Sequence, residues 1–155
     1  MKKLISHILI ALTGMLAVSC NAWLDVTPDN AIADDDLFST GFGYRNALNG
    51  IYTNLASDEL YGKQLSWGFL SAISQQYNQK VGTISPMYAD ASELIYNTVD
   101  TEPVVTAIWE KGYKVIANLN KLIENILPTD ISLFEYGEEE KKLIYAEALS
   151  LRAMM

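Results

Sequence analysis

The chain has 155 residues, half of them apolar, and its 11 Lys and Arg stand against 19 Asp and Glu for a net charge of −8 at neutral pH. Such an acidic surface repels phosphate backbones and argues against nucleic acid as a partner. Its lone cysteine rules out a disulfide within the chain.

Met1-Lys2-Lys3 gives a positive start, and no acid precedes Asp25. Leu4 to Val18 is then mostly apolar, interrupted by Ser6, His7, Thr13 and Gly14. A bilayer-spanning helix needs about 20 apolar residues, whereas a secretory core needs about 7–15. The small residues Ala17, Val18 and Ser19 suit a peptidase site immediately before Cys20. That stretch resembles the lipobox of bacterial lipoproteins, with Leu16 one place early and Ala17 in the usual leucine position. Residues 1–19 are therefore expected to be a signal peptide, with Cys20 the lipid-carrying first residue of the mature chain. An uncleaved anchor and a buried thiol are the competing readings of the same residues. Two or more acyl chains hold a protein firmly at about 0.8 kcal/mol per buried methylene. The expected state is tethered, not spanning.

Cleavage after Ser19 leaves 136 residues, enough for one domain with a core, at a net charge of −10. It also removes His7, the only histidine, while acylation blocks Cys20. Without histidine or free thiol, Ser–His and Cys–His nucleophile pairs are excluded, as are the usual zinc sites. No metal or other cofactor is expected. Carboxylate pairs of the glycosidase type survive this filter.

Cys20 to Asp36 reads as a tether and entry segment, with turn chemistry at Pro28-Asp29-Asn30. Asp34-Asp35-Asp36 lacks the alternation of calcium loops and reads as a solvated run before a helix. The domain proper is taken as 37–155. Ser39 or Thr40 caps a first predicted helix to about Leu55, with Tyr44, Leu48, Ile51 and Leu55 on one face. A second helix is expected over about Leu65 to Gln79, with Leu65, Phe69, Ile73 and Tyr77 every fourth residue. Val81 to Glu102 is read as the least regular stretch.

A third helix, about Pro103 to Leu127, carries a wide apolar stripe that includes Val105, Trp109, Gly112, Ile116, Leu119, Ile123 and Ile126. Gly112 leaves room for another helix to approach, and Pro128 stops the element. Glu138-Glu139-Glu140 opens a fourth helix, with negative charge at the positive end of its dipole. Its apolar lane is Ile144, Ala148, Leu151 and Met155, and no stop signal follows. Strand-like alternation is weak throughout. The fold class expected is all-α.

Five segments in order now carry a resemblance. They are "CNAWLDVTP" from Cys20, "DLFST" from Asp36, "ALNGIY" from Ala47, "WEKGYKVIANLNKLI" from Trp109 and "EALSLRA" from Glu147. Behind a lipoprotein signal, they resemble the N-terminal part of the SusD/RagB family of Bacteroidetes, outer-membrane nutrient-binding lipoproteins. Family members are several times longer and continue into helices paired as in tetratricopeptide repeats. The resemblance implies an incomplete SusD-like helical scaffold whose role is to capture oligosaccharide at the outer membrane. It also implies delivery of that ligand to a TonB-dependent transporter of the SusC type.

All 16 aromatic residues lie beyond Cys20, and a ring offers a flat face to the C–H side of a pyranose. Tyr77, Tyr88, Tyr96 and Asn97 are the candidate ligand residues, since related proteins contribute contacts from this neighbourhood; Trp67 ranks below them. Tyr44, Tyr52, Phe69, Trp109 and Tyr113 are assigned to packing. Glu147 and Arg152, five residues apart, do not share a helix face, so if they pair, each finds its partner on another helix. No catalytic residue is assigned. A binding protein is favoured over a truncated remnant, and over a lipid-anchored carboxylate hydrolase, for which no motif speaks.

Overall fold

A computed structural model describes residues 34–77 and 85–155. Cys20, the signal peptide and nearly all of the entry segment lie outside the described residues. The elements are α1 (Asp34–Leu37), α2 (Gly41–Leu55), α3 (Phe69–Ile73), α4 (Pro86–Ser92), α5 (Glu102–Ile126), a 3-10 turn (Ile131–Leu133) and α6 (Gly137–Met154). The protein is all-α, with no strand among the described residues.

Thr40 starts α2, its hydroxyl accepting from the Gly43 N–H at 3.1 Å. Tyr44, Leu48, Ile51 and Leu55 are all buried, as their spacing requires. Helix α5 meets them with Val115, Leu119, Leu122, Ile123 and Ile126, and α6 adds Ile144 and Ala148. Pro103 lies in the first turn of α5, where its missing N–H costs nothing. The other end of α5 has no glycine cap. Lys141 supplies the charge instead, donating from Nζ to the carbonyls of Leu127 at 3.0 Å and Thr129 at 2.6 Å.

Side-chain pairs define the helix directions. Arg45 pairs with Glu140 and Tyr52 with Glu147, so α2 and α6 run parallel. Arg152 donates to Asn120 while Lys141 reaches Leu127, so α5 runs antiparallel to α6. Glu147 and Arg152, which do not share a face of α6, thus find their partners on two different helices. Tyr44 ties α2 to the end of α5, its hydroxyl bonding the Asn125 carbonyl at 3.0 Å and the Thr129 hydroxyl at 2.6 Å.

A smaller apolar cluster joins α3 and α4 to the first half of α5. Phe69, Ala72 and Ala91 are its centre, and Met87, Tyr88, Val104, Val105 and Ile108 pack around them. Here the structure departs from the expected second helix over Leu65 to Gln79: only Phe69–Ile73 is helical. Interlocked turns occupy the preceding residues, with Leu65 N–H on the Leu60 carbonyl and Gly68 N–H on that of Lys63, both at 2.8 Å. The Gln64 side chain takes the Phe69 N–H at 3.0 Å, and Gln75 leaves the helical region with φ of 55°. Local hydrogen bonds therefore override an apolar spacing of four.

The stretch expected to be irregular contains α4, which begins at a proline in its first turn and ends where Leu94 adopts φ of 61°. Beyond it, Thr98 and Thr101 exchange backbone-to-hydroxyl bonds at 3.1 and 3.2 Å, and the Thr98 hydroxyl donates to Asp90 at 2.7 Å. Thr101 is fully buried, so the network satisfies polar groups that would otherwise be stranded between α4 and α5.

Three packing assignments need correction. Trp109 is 65% exposed, Tyr113 54% and Tyr52 42%. Helix α5 turns Val115, Leu119, Leu122 and Ile126 toward α2 and α6, and Trp109 and Tyr113 lie outside that sector.

Gly50 sits inside α2 on the solvent side, and a Cβ there would meet nothing within 4 Å. Gly50→Ala is therefore expected to stabilise the fold by about 0.5–1 kcal/mol, through lower backbone entropy in the unfolded chain. An upward shift in the midpoint of thermal unfolding is the readout.

Candidate functional site

Four residues were expected to contact ligand, and the structure places them around the α3–α4 layer. The Tyr77 ring is about half exposed, and its hydroxyl donates to the Trp67 carbonyl. Tyr96, also exposed, tilts against Phe69 with ring centroids 6.2 Å apart. Tyr88 differs from these two. It is half-buried and packs on the Phe69–Ala72–Ala91 cluster, which gives it a structural place. Asn97 is exposed beside Tyr96.

Trp67, ranked below these in the sequence, is the more accessible aromatic at 58% exposure, and the Lys63 ammonium sits 5.8 Å from its ring centre. The α3–α4 layer therefore presents Trp67, Tyr77 and Tyr96 to solvent over a small apolar base. Exposed rings can stack on apolar faces of a ligand, and the neighbouring Lys63, Gln76 and Asn97 add hydrogen-bonding groups.

A concavity that the sequence did not single out lies between α2 and α6. It encloses about 490 Å³ and is lined on α2 by Arg45, Leu48, Asn49 and Tyr52. From α6 and the turn before it come Tyr136, Glu139, Glu140, Leu143, Ile144 and Glu147. None of Tyr77, Tyr88, Tyr96 and Asn97 lines it.

Two cross-helix pairs define its polar chemistry. Glu140 is buried and receives the Arg45 guanidinium on one oxygen and the Tyr136 N–H, at 3.1 Å, on the other. The Arg45 hydrogen bond, followed by that from Tyr136, holds the Glu140 carboxyl below the ordinary glutamate value. The Tyr52 hydroxyl donates to Glu147 at 2.9 Å. That bond to a carboxylate pushes the Tyr52 pKa up, with burial as the next cause. The Arg45 and Tyr136 bonds engage both Glu140 oxygens, and the Tyr52 bond engages one oxygen of Glu147. The signal available in the sequence was the lane Arg45, Asn49, Tyr52 beside Leu48, but its partners lie some 95 residues away on α6.

Among the described residues, no cluster of three His, Cys, Asp or Glu side chains could hold a metal ion. No helix among them is long and apolar enough to cross a membrane.

No known family profile matches the chain, and no solved structure matches it. A curated relative does: over 140 residues the chain is 26% identical to the SusD-like protein P25 of Formosa agariphila. The match covers 88% of this chain but 26% of that protein, so the chain spans about a quarter of the length of the relative it matches. The chain is thus similar, along most of its length, to the corresponding quarter of a SusD-like protein.

Proposed function

We propose that the protein is a SusD-like binding lipoprotein, anchored in the outer membrane through acylated Cys20, that captures oligosaccharide and passes it to a TonB-dependent transporter of the SusC type. The observation that carries this reading is the similarity to a SusD-like protein along 88% of the chain. The exposed Trp67, Tyr77 and Tyr96 support the ligand class, because flat aromatic faces complement the C–H faces of sugars. On this reading the protein binds and has no turnover, and a carboxylate hydrolase is the alternative that the same assay detects.

The test is calorimetric titration of the acylated protein, extracted in detergent from the producing cell, with a panel of oligosaccharides. Binding of one of them is expected, with affinity falling at least about tenfold in Trp67→Ala and Tyr96→Ala. Absence of binding across the panel would overturn the reading, and release of reducing ends would turn it toward a hydrolase. Cys20→Ser is expected to move the protein out of the membrane fraction.

A further inference from the structure

The groove between α2 and α6 has an apolar floor that its polar pairs leave open. Leu48 and Ile144 are buried at its base, while Leu143, Tyr52 and Tyr136 stand exposed along its walls. The Arg45–Glu140 pair bridges the two helices at one end, and the Tyr52–Glu147 pair bridges them at the other. Seven residues separate the pairs on each helix, a rise of about 10 Å. A concavity of about 490 Å³ falls in the size range of small-molecule sites. Being bounded at both ends, it suits a compact ligand better than a helix laid along its length.

The two ends differ in what they offer. Both oxygens of Glu140 are engaged, by Arg45 and by the Tyr136 N–H. Glu147 receives the Tyr52 hydroxyl on one oxygen, and among the described residues its other oxygen has no hydrogen-bond partner. Glu139, Glu140 and Glu147 line the groove against the guanidinium of Arg45, so its field is net negative. An anion is repelled there, whereas an ammonium gains a charge-assisted hydrogen bond from the half-free carboxylate of Glu147. Sugar hydroxyls suit the floor poorly, because Leu48, Leu143 and Ile144 return nothing for the water they would lose.

We propose that this groove binds a small organic amine. Its ammonium sits on the free oxygen of Glu147, and its apolar body lies over Leu48, Leu143 and Ile144 toward the Arg45–Glu140 end. The site is separate from the exposed rings of the α3–α4 layer and does not depend on the glycan reading, so the two proposals fail separately.

The native protein, extracted from the producing cell's membranes into lipid nanodiscs, is titrated calorimetrically with hexylamine, hexanol and hexanoate. Empty nanodiscs give the blank. Hexylamine is expected to bind at one site per chain, at least about tenfold more tightly than hexanol, and hexanoate not to bind. Glu147→Gln, which keeps an acceptor for Tyr52, is expected to bring the amine down to the affinity of the alcohol. Leu143→Ser is expected to weaken both. Circular dichroism checks that the variants stay helical.

Equal affinity for hexylamine and hexanol, or an amine preference that survives in Glu147→Gln, overturns the proposal. So does absence of hexylamine binding, whatever else fills the groove. Displacement of hexylamine by an oligosaccharide would assign the groove to the sugar instead. Tighter binding of a lysine-rich peptide than of hexylamine would assign it to a partner protein.

Discussion

Leu119→Ala is expected to lower the free energy of unfolding by about 3 kcal/mol, the larger of the two main effects foreseen for single substitutions. Leu119 is fully buried on α5, in the cluster that gathers Leu48 and Ile51 from α2 and Ile144 and Ala148 from α6. Truncating its isobutyl side chain to a methyl forfeits the transfer energy of the three carbons removed. It also leaves a cavity that three mutually packed helices cannot close without shifting together. Urea unfolding followed by far-ultraviolet circular dichroism measures the loss. A change below about 1 kcal/mol would show that α2, α5 and α6 do not converge there. The same substitution at Leu143, 59% exposed on α6, is a control expected to cost little.

Glu140→Gln is expected to cost about 1–2 kcal/mol at neutral pH and to flatten the acid limb of the stability profile. Glu140 is buried, but its partner is partly open to water, with 44% of the Arg45 side chain exposed. The guanidinium left behind is therefore resolvated, and the cost stays below that of stranding a fully buried charge. The Tyr136 N–H keeps a neutral acceptor in place of a charged one.

The pH dependence follows from the sign of the shift. The folded protein holds the Glu140 carboxyl below its unfolded value of about 4.3. Its stabilisation is therefore complete above that value and is lost as the pH falls through the lower, folded value. Asp130 adds to the same limb, its carboxyl lowered chiefly by the backbone N–H of Ser132. Unfolding midpoints from pH 7 down to about 3 should fall less steeply in the variant than in the parent. Equal slopes would show that the Arg45–Glu140 pair makes no difference between the folded and unfolded chain.

The two long core helices were legible in the sequence for a plain reason. Apolar residues at spacings of three and four over 15 residues in α2 and 25 in α5 leave one way to bury them. The short elements were not. Phe69–Ile73 depends on Gln64 and on turns between residues 57 and 68, and Pro86–Ser92 is too short for periodicity to reveal. Of the candidate ligand residues, Tyr77, Tyr96 and Asn97 are exposed, whereas Tyr88 is drawn into packing. Trp109 illustrates the opposite error. Its place in an apolar stripe is real, but burial needs a neighbour, and periodicity does not say which neighbours come.

By itself, the sequence determined the all-α class, a capped start of α2 at Ser39 or Thr40, the Leu119, Ile123 and Ile126 lane of α5 and that Glu147 and Arg152 do not share a helix face. Each of these follows from local spacing or from backbone groups that must be satisfied within a turn. Only the tertiary structure decided that α2 and α6 run parallel, that Glu140 is buried under Arg45, and that Trp109 and Tyr113 face outward. Those outcomes depend on contacts between residues far apart in the chain. Their formation rests on the joint packing of three helices, which no single segment encodes.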